Sequence, residues 1–140
     1  MSQQATFITV EADVNAPLSK VWECWNAPEH IVQWNFANDD WHSPNAENDF
    51  REGGKFSYKM AAKDGSFSFD FWGIYAEIRD QDFLSFTLGD DRKVTVTFED
   101  KGTYTHIKES FEAETQNPVE MQQAGWQAIL NNFKKYVESL

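Results

Sequence analysis

The sequence contains a single cysteine, Cys24, and few basic residues. One cysteine cannot form a disulfide within the chain, and a lone thiol is typical of proteins from reducing compartments. The 12 Lys and Arg residues are outnumbered by 23 Asp and Glu, which gives a formal net charge of −11. Because so acidic a surface repels phosphate groups, we expect neither nucleic acid nor a membrane surface as a partner.

Long apolar segments are also missing from the sequence. No window approaches the roughly 18 apolar residues that indicate a membrane-spanning helix. Residues 1–14 lack the basic and apolar regions of a secretion signal. We therefore expect a soluble cytoplasmic protein. The length of 140 residues fits one domain, 1–140, because most domains contain about 100–150 residues.

Recognisable metal-binding and catalytic patterns are absent as well. His30 and His42 lie 12 residues apart, and neither has the i+3 or i+4 partner of helical metal ligands, so we predict no metal and no cofactor. No Gly-x-Ser-x-Gly turn occurs, and the pair Gly53-Gly54 lacks the spacing of a phosphate-binding loop. Cys24 lies between tryptophans on a predicted helix and is interpreted as inert core. We therefore assign no catalytic residue.

Aromatic residues, in contrast, are abundant, and they form 16% of the chain. Residues 6–14 alternate between apolar and polar, which predicts a half-buried strand. Two short helices follow, over about 17–26 and about 28–34, each with a proline at its start. Alternating segments then fill the middle of the chain, with turn signals such as Asp64-Gly65 between them. This pattern predicts an antiparallel meander.

One long helix is predicted at the end of the chain. Asn117 is a suitable N-cap, Pro118 suits the first helical position and Glu120 suits the third. Apolar residues then recur three and four apart on a helix of about 22 residues: Trp126, Ile129, Leu130, Phe133, Val137 and Leu140. The order of elements predicts an α+β domain in which this helix covers the inner face of the sheet.

Several short segments occur in a specific order along the chain: Val21-Trp22, Ala27-Pro28-Glu29-His30, Trp34, Asp49-Phe50-Arg51-Glu52-Gly53-Gly54-Lys55-Phe56, Phe83-Leu84-Ser85-Phe86-Thr87, Val94-Thr95-Val96-Thr97-Phe98 and Gly125-Trp126. Together they resemble the family named after the activator of heat-shock protein 90 ATPase, within the START-like or SRPBCC helix-grip superfamily. The resemblance implies a curved antiparallel sheet wrapped around a long C-terminal helix, with two short helices after the first strand. It also implies a cavity between sheet and helix that takes hydrophobic small molecules.

The family name further implies a chaperone as a partner. Chaperone activators carry a separate N-terminal domain, and this chain is too short to contain one in addition to the helix-grip domain. We therefore do not expect the protein to stimulate a chaperone ATPase.

The candidate ligand-binding residues are apolar side chains around the implied cavity. Trp34, Phe36 and Trp41 follow the second helix and are expected to form part of a lid over one mouth of the cavity. Eight further side chains are expected to face inward from the sheet and the last helix: Tyr58, Met60, Phe69, Phe71, Phe86, Trp126, Ile129 and Phe133. For any one of them plain core is the simpler interpretation, but as a set they indicate a lined cavity, because a sheet curved around one helix cannot easily fill its whole concavity.

The alternation changes phase in the middle of the meander. The aromatic residues between Phe67 and Phe71 fall at odd positions. The apolar residues between Ile74 and Ile78 fall at even positions. One extra residue in a strand reverses the phase, and glycine is common where this occurs. The sequence therefore predicts a β-bulge at Gly73.

Glu109 is the polar exception on the apolar face of the last predicted strand, where it lies between Ile107 and Phe111. Burial of a carboxylate costs free energy unless a partner compensates for it. Two interpretations stay open. Glu109 is either the main polar contact of the ligand, or it pairs with Arg92, Lys93 or a tyrosine hydroxyl.

The predicted function is binding of a hydrophobic or aromatic small molecule in the cavity. An enzyme that acts on such a molecule, as some cyclases of the superfamily do, is the alternative. Catalysis needs a poised acid or base in the cavity, and only Glu109 or, less directly, His42 could supply one. A partner-binding module of the co-chaperone type is a third class, which rests on the family name alone.

Overall fold

A seven-stranded antiparallel sheet frames the protein in the computed structural model, which describes residues 6–140. The strands are β1 (Phe7–Val14), β2 (Trp41–Asn48), β3 (Lys55–Ala62), β4 (Ser68–Arg79), β5 (Phe83–Leu88), β6 (Lys93–Asp100) and β7 (Thr105–Glu112). Their order in the sheet is β1-β7-β6-β5-β4-β3-β2. Strands β3 to β7 therefore form the predicted meander, β2 extends it at one edge, and β1 joins its last strand.

The helices of the described chain are α1 (Leu18–Asn26), α2 (Pro28–Trp34) and α3 (Val119–Glu138). Pro17 and Ala27 have extended backbones and precede the first turns of α1 and α2. Helix α3 lies on the concave face of the curled sheet and packs mainly against β1. The α+β helix-grip arrangement predicted from the sequence is confirmed. No helix within residues 6–140 is long and apolar enough to cross a membrane.

Alternating side chains from the strands form the core beneath α3. On β6, Val94 and Val96 are fully buried, and they pack with the inward residues of β5 and β7. Helix α3 contributes Leu130, Phe133 and Val137, which are also buried. Each such side chain contributes about 1.5–3 kcal/mol through removal from water. The two repeat periods seen in the sequence therefore identify the faces that meet in the core.

The ends of α3 differ from the prediction. The helix begins at Val119, and the side-chain amide of Asn117 donates to Glu114 Oε2 at 2.9 Å rather than capping the helix. Gln122 instead contacts this turn, because its Nε2 donates to the carbonyls of Glu114 and Asn117. Leu140 lies beyond the helix and is 56% exposed, so it is not part of the apolar stripe.

The segment after α2 contains a strand that the sequence did not predict. Trp41 begins β2 and pairs with Ala62 of β3, so Trp41 belongs to the edge of the sheet rather than to a loop. Pro44 falls at an irregularity in this pairing, between His42 and Asn45. A proline is tolerated here because β2 is an edge strand and pairs on one side only.

The predicted bulge at Gly73 is wrong, since the irregularity lies at Ala76. Pairing between β3 and β4 is regular through Gly73. The register with β5 shifts between Tyr75 and Glu77. Tyr75 therefore continues the inward set of β4 and is buried, whereas Ile74 points outward and is 38% exposed.

Gly73 is required for close packing rather than for a bulge. A Cβ atom at this position would lie 2.8 Å from the ring of Phe56 and 2.8 Å from the carbonyl oxygen of Thr87. Both distances are well inside van der Waals contact. The missing side chain therefore lets the ring of Phe56 pack closely against β4.

We predict opposite effects for two glycine-to-alanine substitutions. Gly73→Ala should lower the free energy of unfolding by about 1–3 kcal/mol, because the added methyl overpacks the core. Gly125→Ala should raise it by about 0.5–1 kcal/mol, because alanine favours a helix interior and the added Cβ at Gly125 meets no atom within 4 Å. Urea unfolding of both variants measures these changes. Equal stability of Gly73→Ala and the wild type would contradict the packing described here.

Candidate functional site

A cavity lies between the inner face of the sheet and α3, on the side away from β1. Fourteen residues line it: Trp25, Trp34, Asn35, Phe56, Tyr58, Met60, Phe71, Tyr75, Leu84, Phe86, Glu109, Trp126, Ile129 and Leu130. They come from all three helices or their ends and from strands β3, β4, β5 and β7. Its wall is almost entirely aromatic and aliphatic.

The cavity has room for a small molecule. Its volume is about 70 Å³. On this scale one water molecule needs about 10–15 Å³, so the space is several waters large. Such a volume suits one small ring with a short substituent better than a sterol or a long acyl chain, since a cavity of about 150 Å³ takes up benzene.

Aromatic contacts fix the wall between α3 and the sheet. The indole of Trp126 stacks on Phe111 of β7, with ring centroids 3.8 Å apart and planes 10° from parallel. Its other neighbour is Phe71 of β4, which meets it edge-on at 5.9 Å. Trp126 thus spans the distance from β7 to β4 across the cavity. Stacked and edge-on pairs are both favourable arrangements of aromatic rings.

Two tryptophans, Trp25 of α1 and Trp34 of α2, line the cavity on the helix side. Trp34 donates a hydrogen bond from Nε1 to the carbonyl oxygen of Cys24 at 2.9 Å, and its ring lies 5.1 Å from that of Trp25. Phe133 contacts both indoles edge-on, each at 4.9 Å. The Cys24 side chain is buried, and burial raises the pKa of its thiol. The thiol is therefore not activated as a nucleophile.

Glu109 is the carboxyl group of the cavity wall. Its neighbours in register are Val10 on β1 and Val96 on β6, and the residue is only 8% exposed. Among residues 6–140, it has no hydrogen-bond or salt-bridge partner. Arg92, one of its predicted partners, binds Asp90 instead. Burial raises the pKa of Glu109 to about 8, so the carboxyl group is mostly protonated at neutral pH.

Asn35 is a second polar group on the wall, and it was not predicted from the sequence. The residue ends α2 and is 5% exposed. Its Nδ2 atom is buried and has no hydrogen-bond partner among the described protein atoms. A polar residue after a short helix is typical of a cap, so no sequence pattern indicated that Asn35 lies in the cavity.

Two tyrosines complete the polar part of the wall. The hydroxyl of Tyr75 donates to Asn48 Oδ1 at 2.8 Å. Burial raises the pKa of Tyr75 to about 12 and that of Tyr58 well above its usual value. Both side chains are therefore neutral over the whole physiological pH range.

The structure brings together eight of the twelve residues proposed from the sequence as ligand contacts. These are Trp34, Tyr58, Met60, Phe71, Phe86, Glu109, Trp126 and Ile129. Their position on the wall agrees with the inward faces inferred from the sequence. Contact with a ligand stays a prediction for all of them.

The other four proposed residues lie outside the cavity wall. Phe133 is fully buried in the core against the tryptophans. Phe69 is 42% exposed and packs with Trp41 at the outer end of the sheet. Phe36 follows α2, where its carbonyl oxygen accepts a hydrogen bond from Asn132 Nδ2 at 3.4 Å. Periodicity identified the correct face of each strand, but it carries no information about depth within that face.

Six lining residues were missed: Trp25, Asn35, Phe56, Tyr75, Leu84 and Leu130. Phe56 and Leu84 lie on faces that the sequence marked as inward, so their alternation was a usable signal. Tyr75 was missed because the bulge was placed too early in β4.

The histidines near the second helix do not take part in the cavity. His30 Nδ1 lies 2.7 Å from the hydroxyl of Tyr136, and His42 is exposed on β2. Within residues 6–140, no group of three or more His, Cys, Asp or Glu side chains is arranged to hold a metal ion. The absence of a bound metal stays a prediction for elemental analysis.

The curled sheet, the long helix and the cavity between them define a helix-grip domain of the START-like or SRPBCC type. The chain belongs to the family described as Activator of Hsp90 ATPase homolog 1-like protein, which matches residues 15–138. This confirms the family inferred from the sequence.

Solved structures agree with this assignment. An AHSA1-like protein from Aeromonas hydrophila is 43% identical, with 96% of this chain and 93% of that chain covered and a TM-score of 0.90. A protein from Cytophaga hutchinsonii is 52% identical, with 94% and 92% covered and a TM-score of 0.82. One from Nitrosomonas europaea shares the fold at 16% identity, 95% and 94% coverage and a TM-score of 0.80. No curated protein matches the chain.

We predict that Glu109 makes the protein less stable as the pH rises. The folded pKa of about 8 lies above the ordinary value of 4.5, so the folded state holds its proton more tightly than the unfolded state. Its contribution is therefore fully present at acidic pH and is lost as the pH rises through about 8. Between pH 5 and pH 9 the loss is on the order of 4 kcal/mol.

The test is urea unfolding of the wild type and Glu109→Gln at several pH values. The free energy of unfolding of Glu109→Gln should not fall in this way, because glutamine does not titrate. The variant should therefore become more stable relative to the wild type as the pH rises toward 9. His106 also has a raised pKa, chiefly through its hydrogen bond to Asp13, but it acts equally in both proteins. Parallel stability curves for the two proteins would contradict a buried, protonated Glu109.

Proposed function

We propose that the protein binds a small hydrophobic ring compound in the cavity between the sheet and α3. The observation that carries this proposal is an aromatic cavity whose wall includes two buried polar residues, Glu109 and Asn35. Asn35 Nδ2 has no described protein partner, and burial is the only cause of the raised pKa of Glu109. Membership in a family of the SRPBCC type supports the proposal, because this fold commonly binds hydrophobic ligands.

The two polar groups distinguish this cavity from a packing defect. An unsatisfied buried polar group costs about 1–3 kcal/mol, and a defect in a core is typically lined by apolar atoms. Binding sites, in contrast, combine apolar walls with a few placed polar groups that orient the ligand. The arrangement of Glu109 and Asn35 on an otherwise aromatic wall fits the second description.

The size of the cavity limits the affinity. A ring that buries about 250 Å² gains roughly 6 kcal/mol at about 25 cal/mol per Å². Association costs several kcal/mol of this gain. The apolar gain alone therefore gives dissociation constants in the millimolar range or weaker. Hydrogen bonds to the polar groups determine how much more tightly a given ligand binds.

An enzyme that acts on the bound molecule is the second candidate function. Glu109 favours it, because a buried carboxyl group with a pKa near neutrality can act as a general acid or base. The wall holds no second acid, base or nucleophile close to its ordinary pKa, so binding is the better-supported function. Native mass spectrometry of freshly purified protein would identify a co-purifying molecule, whose conversion can then be assayed.

A chaperone partner and a cytoplasmic location stay predictions from the sequence. The cavity bears on neither of them. Pull-down of a chaperone by the purified protein would favour the partner-binding class over both small-molecule functions.

We predict that filling the cavity abolishes binding of small ring compounds such as ethylbenzene and indole. Ile129 lines the cavity from α3, so Ile129→Trp should place an indole where the ligand would lie. Val119→Trp is the matched control, because Val119 is exposed on the same helix. Calorimetric titration should show binding by the wild type and the control, and none by the filled variant.

The smaller change Ile129→Phe guards against misfolding of the tryptophan variant. Ile129→Phe should weaken binding, and its circular dichroism spectrum should match that of the wild type. Undiminished binding by folded Ile129→Trp would place the ligand elsewhere, and absence of binding by the wild type would contradict the proposed function.

A further inference from the structure

The hydrogen-bonding groups of the cavity wall are unequally available to a ligand. Trp34 uses its N–H to bind the carbonyl oxygen of Cys24, and Tyr75 uses its O–H to bind Asn48. The Nδ2 group of Asn35 has no partner in the described protein. The carboxyl group of Glu109 has none either, and burial is the only cause of its raised pKa. Of these four groups, Asn35 Nδ2 and the carboxyl group of Glu109 are the two left free for a ligand.

The wall contains no positive charge. None of its lining residues is Lys, Arg or His, and the whole chain has a formal net charge of −11. A carboxylate ligand would lose its hydration without gaining an ion pair, and such burial is strongly unfavourable. It would also lie in the same small space as Glu109, which would repel it whenever that group is ionised.

We infer that the cavity selects neutral ring compounds that carry a hydrogen-bond acceptor, such as an aryl ketone or aryl amide, and rejects ring carboxylates. This inference rests on the proposed function and specifies the ligand class. Asn35 and the protonated form of Glu109 donate hydrogen bonds to the acceptor, and the aromatic wall surrounds the ring. A neutral acceptor satisfies both donors without bringing a charge into the cavity.

The protonation of the wall agrees with this selectivity. The raised pKa of Glu109 keeps its carboxyl group a donor at neutral pH. The other titratable residues of the wall are Tyr58 and Tyr75, and burial keeps both neutral well above that pH. The flanking Val10 and Val96 do not titrate. Glu109 is thus the one lining group that changes charge between pH 6.5 and pH 9.

The test compares three probes of similar shape by calorimetric titration of the full chain at pH 6.5: acetophenone, ethylbenzene and benzoate. Acetophenone should bind about tenfold more tightly than ethylbenzene, because a hydrogen bond to a buried donor typically gives that factor. Benzoate, which is ionised at this pH, should bind at least tenfold more weakly than acetophenone. At pH 9 the preference for acetophenone should fall severalfold as Glu109 ionises.

Two variants of Glu109 separate its donor role from its charge. Glu109→Gln keeps an uncharged donor, so it should retain the preference for acetophenone at both pH values. Glu109→Leu has no donor and should lose most of the preference. Asn35→Ala should reduce the preference without changing its dependence on pH, since the asparagine does not titrate.

The outcomes distinguish this inference from the proposed function. Equal affinity for acetophenone and ethylbenzene would overturn the selectivity while the binding function stands. Benzoate bound as tightly as acetophenone would also overturn it, because the wall would then accept an anion. Binding of none of the three probes would contradict both the inference and the proposed function.

Discussion

One helix cannot cover the concave face of a seven-stranded sheet, and the rest of the architecture follows from this constraint. Helix α3 packs mainly against β1 and leaves the inner faces of β3, β4 and β5 uncovered. Trp126 and Phe71 reach toward each other across this space, and the tryptophans of α1 and α2 close it from the helix side. Large rings span a wide concavity with few side chains, but they cannot fill it completely. The abundance of aromatics in the sequence and the cavity in the structure therefore have the same cause.

The pairing of β1 with β7 determines the chemistry of that cavity. Because β1 is the partner of β7 in the sheet, Glu109 lies between Val10 and Val96 and is removed from water on both sides. Burial without an ion pair favours the neutral carboxyl group, which donates a hydrogen bond instead of carrying a charge. A strongly acidic protein thus contains a cavity that is neutral near pH 7. The element that completes the sheet is also the element that makes the site suitable for an uncharged ligand.

Much of the fold could be predicted from the sequence because the repeat periods of strands and helices are strong in this chain. The position of Glu109 followed from alternation alone, since it shares a face with Ile107 and Phe111. Three features did not follow. The edge strand β2 was not predicted, because a proline such as Pro44 argues against a strand. The β-bulge in β4 could lie at either Gly73 or Ala76, since both positions account for the change of phase. Asn35 looked like a helix cap, and its place in the cavity depends on how α2 meets the sheet, which no local pattern encodes.

The charge state of Glu109 is the quantity on which the account of the site depends most directly. It can be measured by following the side-chain carboxyl ¹³C resonance of Glu109 by NMR between pH 4 and pH 10, with Glu109→Gln used for assignment. A buried Glu109 without a partner should give a single transition with a pKa of about 8. A transition near the ordinary glutamate pKa of about 4.3 would show an ionised, solvated carboxylate at neutral pH. That result would contradict the neutral, donor-bearing cavity described here.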